Sequence, residues 1–131
     1  MDAGAKHRFV RRLCAGIAVA FGAVTLFAGG RVLLGADPGY TVFRPLLVFN
    51  TAMGAAYIAA GIAIWRDPTW GRNCAGAIFL LNLLALAGIA AVRSGGGAVA
   101  AQSLGAMGFR TAVWLLLFFV LARLAGKRST N

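Results

Sequence analysis

Four apolar runs, none of which contains an aspartate or a glutamate, decide what this chain can become. They extend from about Leu13 to Gly30, Pro45 to Trp65, Cys74 to Val92 and Met107 to Gly126. A helix rises about 1.5 Å per residue and the hydrocarbon core of a bilayer is about 30 Å thick, so roughly 20 apolar residues span it. Each run reaches about that length. The fourth is the most interrupted, with Arg110 near its start and Arg123 near its end. Composition points the same way: of 131 residues 60% are hydrophobic and 12% charged, which leaves too little polar surface to clothe a water-soluble globule. The predicted fold is all-α, a single domain over residues 1–131 in which four transmembrane helices run up and down, antiparallel.

Thirteen Lys and Arg against three acidic residues give a formal net charge of +10. A nucleic-acid-binding chain would gather such charge on one soluble face, interleaved with aromatics. Here the cations stand at the ends of apolar runs: Arg11 and Arg12 before the first, Arg44 before the second, Arg66 after it. That placement suits side chains whose stems lie along lipid and whose heads reach the phosphates. The bilayer is therefore the expected partner, and nucleic acid is not. With four spans both termini share a side. That side holds Lys6, Arg8, Arg11, Arg12, Arg66, Arg72, Arg123, Lys127 and Arg128, whereas the other holds Arg31, Arg44, Arg93 and Arg110. The positive-inside rule then predicts cytoplasmic termini. A basic start followed by an apolar run also resembles a secretion signal, and Arg11-Arg12 faintly a twin-arginine one. No small-x-small cleavage site closes the run and no hydrophilic domain follows, so a retained first helix is expected.

The inventory of reactive groups is short. Cys14 and Cys74 fall at the expected cytoplasmic helix ends, where thiols stay reduced, and there is no CxxC pair. His7 is the single histidine and precedes the first run, which excludes an intramembrane haem held by paired histidines. No cofactor and no metal are expected. Absence of Asp and Glu from the spans removes the usual carboxylate of small proton-coupled antiporters. SGGGA, at 94–98, lacks the Lys and following Ser/Thr of a phosphate loop and reads as a flexible outer loop.

LVFNTAMGAAY, at 47–57, poses the remaining question, because it sets an asparagine and a tyrosine inside lipid-soluble sequence. Asn50, Gly54, Tyr57 and Gly61 are spaced four, three and four apart and so form one stripe on a helix. In lipid, small residues let backbones approach and polar side chains find partners across helices. Cys14, Ala18, Gly22, Thr25 and Gly29 form a matching stripe on the first run, and Asn82 shares a face with Ile78, Ala85 and Ile89 on the third. Helical rise places Tyr57 about 18 Å below the outer end of its helix and Asn82 about 12 Å above the inner end of its own, one common level. A hydrogen bond there would contribute about 0.6 kcal/mol as interhelical glue. A second polar level lies nearer the outside, with Asn50 and Thr25 at similar depth and Arg110 at the top of the fourth run. If Arg110 turns inward it meets Asn50, Thr25 and the loop carrying Asp37, and these four are the candidate ligand-binding residues. The expected partners of Asn50 are Thr25, a freed backbone carbonyl, or the Arg110 guanidinium, which offers five donors to the amide oxygen.

The stretches VFNTAMGAAYIAAGIAIW, GAMGFRTAVW and FGAVTLFAGGRVLLG resemble motifs of a family of small, largely uncharacterised bacterial four-helix membrane proteins. The chain is also similar to DoxX-like proteins in size and topology. The resemblance implies a four-span protein of the bacterial inner membrane and brings no activity with it. Small fluoride channels share the length, but the Thr/Ser/Phe-rich break of their third span is missing from CAGAIFLLNLLALAG. The expected function is therefore an accessory or scaffold subunit without catalysis of its own, working with a membrane protein partner or as a homo-oligomer. The alternatives are a small transport or ligand-binding protein using the outer polar level, and a redox accessory whose chemistry comes from a quinone or a partner. A continuous polar cavity from Asn50 to Asn82 would favour transport; a filled bundle would favour a scaffold.

Overall fold

The computed structural model describes residues 2–130, with side chains through residue 126. Four helices make up the bundle: α1 (Ala3–Leu33), α2 (Arg44–Arg66), α3 (Pro68–Ser94) and α4 (Ala101–Thr130). Each is long and apolar enough to cross a membrane, which is the make-up of a multi-pass membrane protein.

All four helices outrun the apolar stretches that nucleate them, and local chemistry explains where each stops. Asp2 caps α1 by accepting from the Ala5 N–H at 2.6 Å. At the other end Ala36 N donates to Arg31 O and Gly35 N to Val32 O, with Gly35 at φ +111°, the glycine-terminated stop that closes many helices. The end of α3 repeats it: Gly97 N donates to Val92 O and Gly96 N to Arg93 O, with Gly96 at φ +92°. SGGGA leaves the helix after Ser94, so the expected loop is present, and its first glycines form the helix stop. RDPTWGRN, the polar stretch between the second and third apolar runs, is mostly helix. Only Asp67 interrupts it, in extended conformation, ending α2 and capping α3 by accepting from Thr69 N at 2.9 Å, with Pro68 in the first helical position.

The two outer pairs of the bundle pack by opposite means. Helix α1 lies mainly on α2 and α4 mainly on α3, α2 and α3 join the pairs, and α1 scarcely touches α4. The α1–α2 seam is built of small residues. Cys14, Ala15, Ala18, Gly22 and Thr25 are the buried positions of α1. A Cβ added at Gly22 would stand 2.6 Å from the Gly54 carbonyl oxygen, and one at Gly54 would stand 3.1 Å from the Gly22 oxygen. Gly61 fits against Ala15 and Val19 in the same way, and Gly29 against Thr51. The α1 stripe and the α2 stripe therefore meet, with backbones close enough for dispersion and Cα–H contacts, while Ile58, Leu26, Val19 and Thr51 seat their side chains on the glycines. By contrast α4 contributes Met107, Trp114, Leu117, Leu121 and Leu124, large side chains that fill the space against α2 and α3. Val24, Phe27, Leu80, Leu84, Leu116 and Phe119 remain more than half exposed on the outside of the bundle, an apolar girdle suited to acyl chains.

Candidate functional site

The first polar level is a closed one. Tyr57 on α2 donates its hydroxyl hydrogen to Asn82 Oδ1 on α3 at 3.2 Å, and both residues are 0% exposed. Trp114 of α4, also 0% exposed, stacks on the Tyr57 ring with centroids 4.9 Å apart and planes at 29°. Phe21 of α1 meets the same ring edge-on at 5.5 Å and stacks on Phe109 of α4 at 6.1 Å. Every helix thus sends a side chain to the Tyr57 ring or hydroxyl. The contact leaves Asn82 Nδ2 and Trp114 Nε1 buried without hydrogen-bond partners.

The second level is open. A cavity of about 330 Å³ lies between α1, the α1–α2 connection, the start of α2 and the start of α4, and all four candidate residues line it: Thr25, Asp37, Asn50 and Arg110. Phe27, Val32, Val42, Phe43, Leu46 and Leu47 give it apolar walls, and Ser103 and Tyr40 add hydroxyls.

The pairing within this group differs from the expected one. Asn50 Oδ1 is buried with no hydrogen-bond partner, and so is Arg110 Nε, so Arg110 does not bond the Asn50 amide oxygen. Thr25 is no partner to Asn50 either, because its hydroxyl donates to the Phe21 carbonyl one turn back at 2.7 Å. Thr51 and Thr111 do the same to Leu47 and Met107, at 2.8 Å each. This is how a helical threonine satisfies itself in lipid, and depth alone did not reveal it. Asp37 accepts from Gly39 N at 2.9 Å, and Gly39, at φ +85°, completes that turn. The expected site residues are therefore neighbours around a cavity and not a bonded network. Two polar atoms of these lining residues are buried and unspent, the acceptor Asn50 Oδ1 and the donor Arg110 Nε.

Of the remaining packing positions, Gly54 and Gly22 sit between the two levels and Gly61 lies outside them. Gly54 lies one turn from Asn50 and one from Tyr57, with Gly22 across the seam, while Gly61 lies a turn beyond Tyr57. Sequence reasoning assigned no role to Trp114 at the closed level and missed Phe21 and Phe109. A signal existed for Trp114: tryptophan favours membrane interfaces, so one in mid-run is unusual, and Met107, Trp114 and Leu121 recur every seven residues on one face.

In chemical terms the cavity can hold a small polar head that accepts from a guanidinium and donates to an amide oxygen, with an apolar body against the walls. Its volume lies at the lower end of ordinary ligand pockets. Among the described residues no group of three His, Cys, Asp or Glu side chains converges. Comparison with known proteins found no matching family, no matching curated protein and no matching solved structure.

Proposed function

We propose that this is a bacterial inner-membrane protein, crossing the bilayer four times in up-and-down order with both termini cytoplasmic, that serves a larger membrane process as an accessory or scaffold subunit. The observation that carries the reading is the filled centre. Tyr57, Asn82 and Trp114 are wholly buried between the outer cavity and the opposite end, so a solute has no polar path through the bundle. Up-and-down order is supported by the seam, where Gly61 faces Ala15, Gly54 faces Gly22 and Thr51 faces Gly29, the numbers of one helix falling as those of the other rise. Orientation rests on the Lys/Arg asymmetry. The family resemblance belongs with the same reading.

The test is purification from native membranes in mild detergent, combined with deletion of the chain. A scaffold keeps one partner at fixed stoichiometry through successive columns, and that partner's activity falls when the chain is deleted. A protein that emerges alone, with unaltered activity of its neighbours on deletion, would overturn the reading. Orientation is checked by fusing a phosphatase after Asn131, which should be inactive because that enzyme needs the periplasm.

The unspent Asn50 Oδ1 and Arg110 Nε favour a second reading, in which the outer cavity binds a small amphiphile and the scaffold reports it. A medium-chain amide such as octanamide supplies a suitable head, a carbonyl that accepts and an N–H that donates, and a suitable body. Octanamide should raise the unfolding temperature of the detergent-solubilised protein and have no effect on Arg110→Gln. An equal effect on both proteins would remove this reading and leave the first intact.

A further inference from the structure

At the end of the bundle opposite the Asn50 cavity, a second cavity of about 370 Å³ collects cations. Arg8, Arg11 and Arg66 line it together with His7, and Pro68 and Leu124 complete its wall. His7, Arg8 and Arg11 share a face of α1 through four- and three-residue spacings, and Arg66 is the last residue of α2, brought alongside by the α1–α2 seam. Among the described residues no carboxylate lines the cavity. Asp2 accepts from Ala5 N and Asp67 from Thr69 N, each at the start of its own helix. Arg11 Nε is buried and has no hydrogen-bond partner. Three guanidinium groups around one space repel one another, and a donor left buried and unmet is costly, so the arrangement calls for an anion from outside the chain.

We infer that this cavity binds a phosphate group, delivered on an anionic phospholipid. Planar guanidinium forks match phosphate oxygens two at a time, which a lysine cluster would not do. The height is right for a headgroup, because the first apolar run begins at Leu13, two residues after Arg11, and the second closes at Trp65, next to Arg66. Leu124 offers an apolar wall beside the basic one, where the first carbons of an acyl chain can lie. Basic pockets between transmembrane helices are a recurrent way to hold anionic headgroups. Arg12 supplies the contrast. Its guanidinium is stacked over the Trp65 ring at 5.1 Å, away from the cavity, and serves as an ordinary interface anchor. The inference requires only that the helices lie in a bilayer, and it stands or falls separately from the accessory role.

The experiment uses the full chain in lipid nanodiscs mixed from phosphatidylglycerol and phosphatidylcholine, with bound lipid counted by native mass spectrometry after ejection. Wild-type protein should retain phosphatidylglycerol in preference to phosphatidylcholine. Arg11→Gln with Arg66→Gln should lower that preference by about tenfold, as expected on losing charge-assisted contacts. Arg12→Gln with Arg72→Gln removes the same charge outside the cavity and should leave the preference unchanged. Should the double variant not elute as a folded species, Arg66→Gln alone carries the same comparison at smaller amplitude. An equal loss in both pairs would mean diffuse surface charge and overturn the site. Displacement of the lipid by inorganic phosphate, with retention of phosphate alone by the wild type, would overturn the lipid as its carrier.

Discussion

The two polar levels of this bundle use similar side chains to opposite ends. At the inner one, Tyr57 and Asn82 are bonded to each other, capped by Trp114 and walled by Phe21, with Tyr57, Asn82 and Trp114 wholly buried. At the outer one, Asn50 and Arg110 are unbonded to each other and border a cavity; both levels keep unspent polar atoms, but only here do the residues that carry them line open space. The difference comes from the fourth helix. Where α4 presents Trp114, the centre is filled; where it presents Ala106 and Arg110 a turn or two earlier, a cavity is left. A polar residue in lipid is glue when its neighbours close over it, and a candidate ligand group when they do not.

The largest effect is expected where the two levels are divided. Gly54 separates them, and a Cβ there would already stand 2.8 Å from Leu26 Cγ and 3.1 Å from both Leu26 N and Gly22 O. Overpacking typically costs about 1–3 kcal/mol, and more where backbone blocks the way. Gly54→Leu should therefore abolish monodisperse protein after detergent extraction. Ile62→Leu, at a position 50% exposed on the lipid side, should extract like wild type. Equal yields from the two would mean that the α1–α2 seam is not the tight joint described here.

That seam was legible in the sequence, and the reason is physical. Small residues at helical spacing have few roles in a lipid-soluble helix other than close packing, so Gly22, Gly54 and Gly61 declare their face without reference to any partner. Depth arithmetic brought Tyr57 and Asn82 to one level because helical rise is constant. The filled α4 face was less legible, since Leu, Trp and Phe serve equally well against lipid or protein. Hydrogen bonds at the outer level were illegible for another reason. Thr25 had a local carbonyl and a distant amide to choose from, and periodicity does not weigh them. The Asp67-Pro68 stop could have been read, because Asp before Pro is a cap and first-turn signature, but it lay outside the apolar runs on which the spans were drawn.

Next in size is removal of the lid. Trp114→Ala deletes the largest fully buried side chain, a change that costs about 3–5 kcal/mol in well-packed cores. The variant should unfold at much lower denaturant in detergent titrations. If it still assembles, proteoliposomes carrying it should leak small polar solutes that wild type retains, because the two levels would then join. Wild-type stability with no leak would show that Trp114 does not keep them apart.

Smaller still is the inner hydrogen bond. Tyr57→Phe keeps the ring between Trp114 and Phe21 and removes only the donor to Asn82. Interhelical hydrogen bonds in membranes average about 0.6 kcal/mol and reach about 1.7. A loss in that range is expected, and a double-mutant cycle with Asn82→Leu should return most of it as coupling energy. Additive effects would mean that the two residues pack side by side without the bond contributing.

The smallest stability effect is expected at Asn50, and it discriminates best between the two levels. Its amide oxygen is buried without a partner, so Asn50→Leu removes an unmet acceptor in place of a made bond. Apolar substitution there should leave the unfolding transition unchanged or raise it slightly, whereas Asn82→Leu at the inner level should lower it. Any response to octanamide should vanish in Asn50→Leu as it does in Arg110→Gln. A residue that costs stability to keep, and whose removal costs only function, is kept for what it binds. If Asn50→Leu instead destabilises the bundle as much as Asn82→Leu does, then Asn50 is a packing residue, the outer level is glue like the inner one, and the cavity beside it has no claim on a ligand.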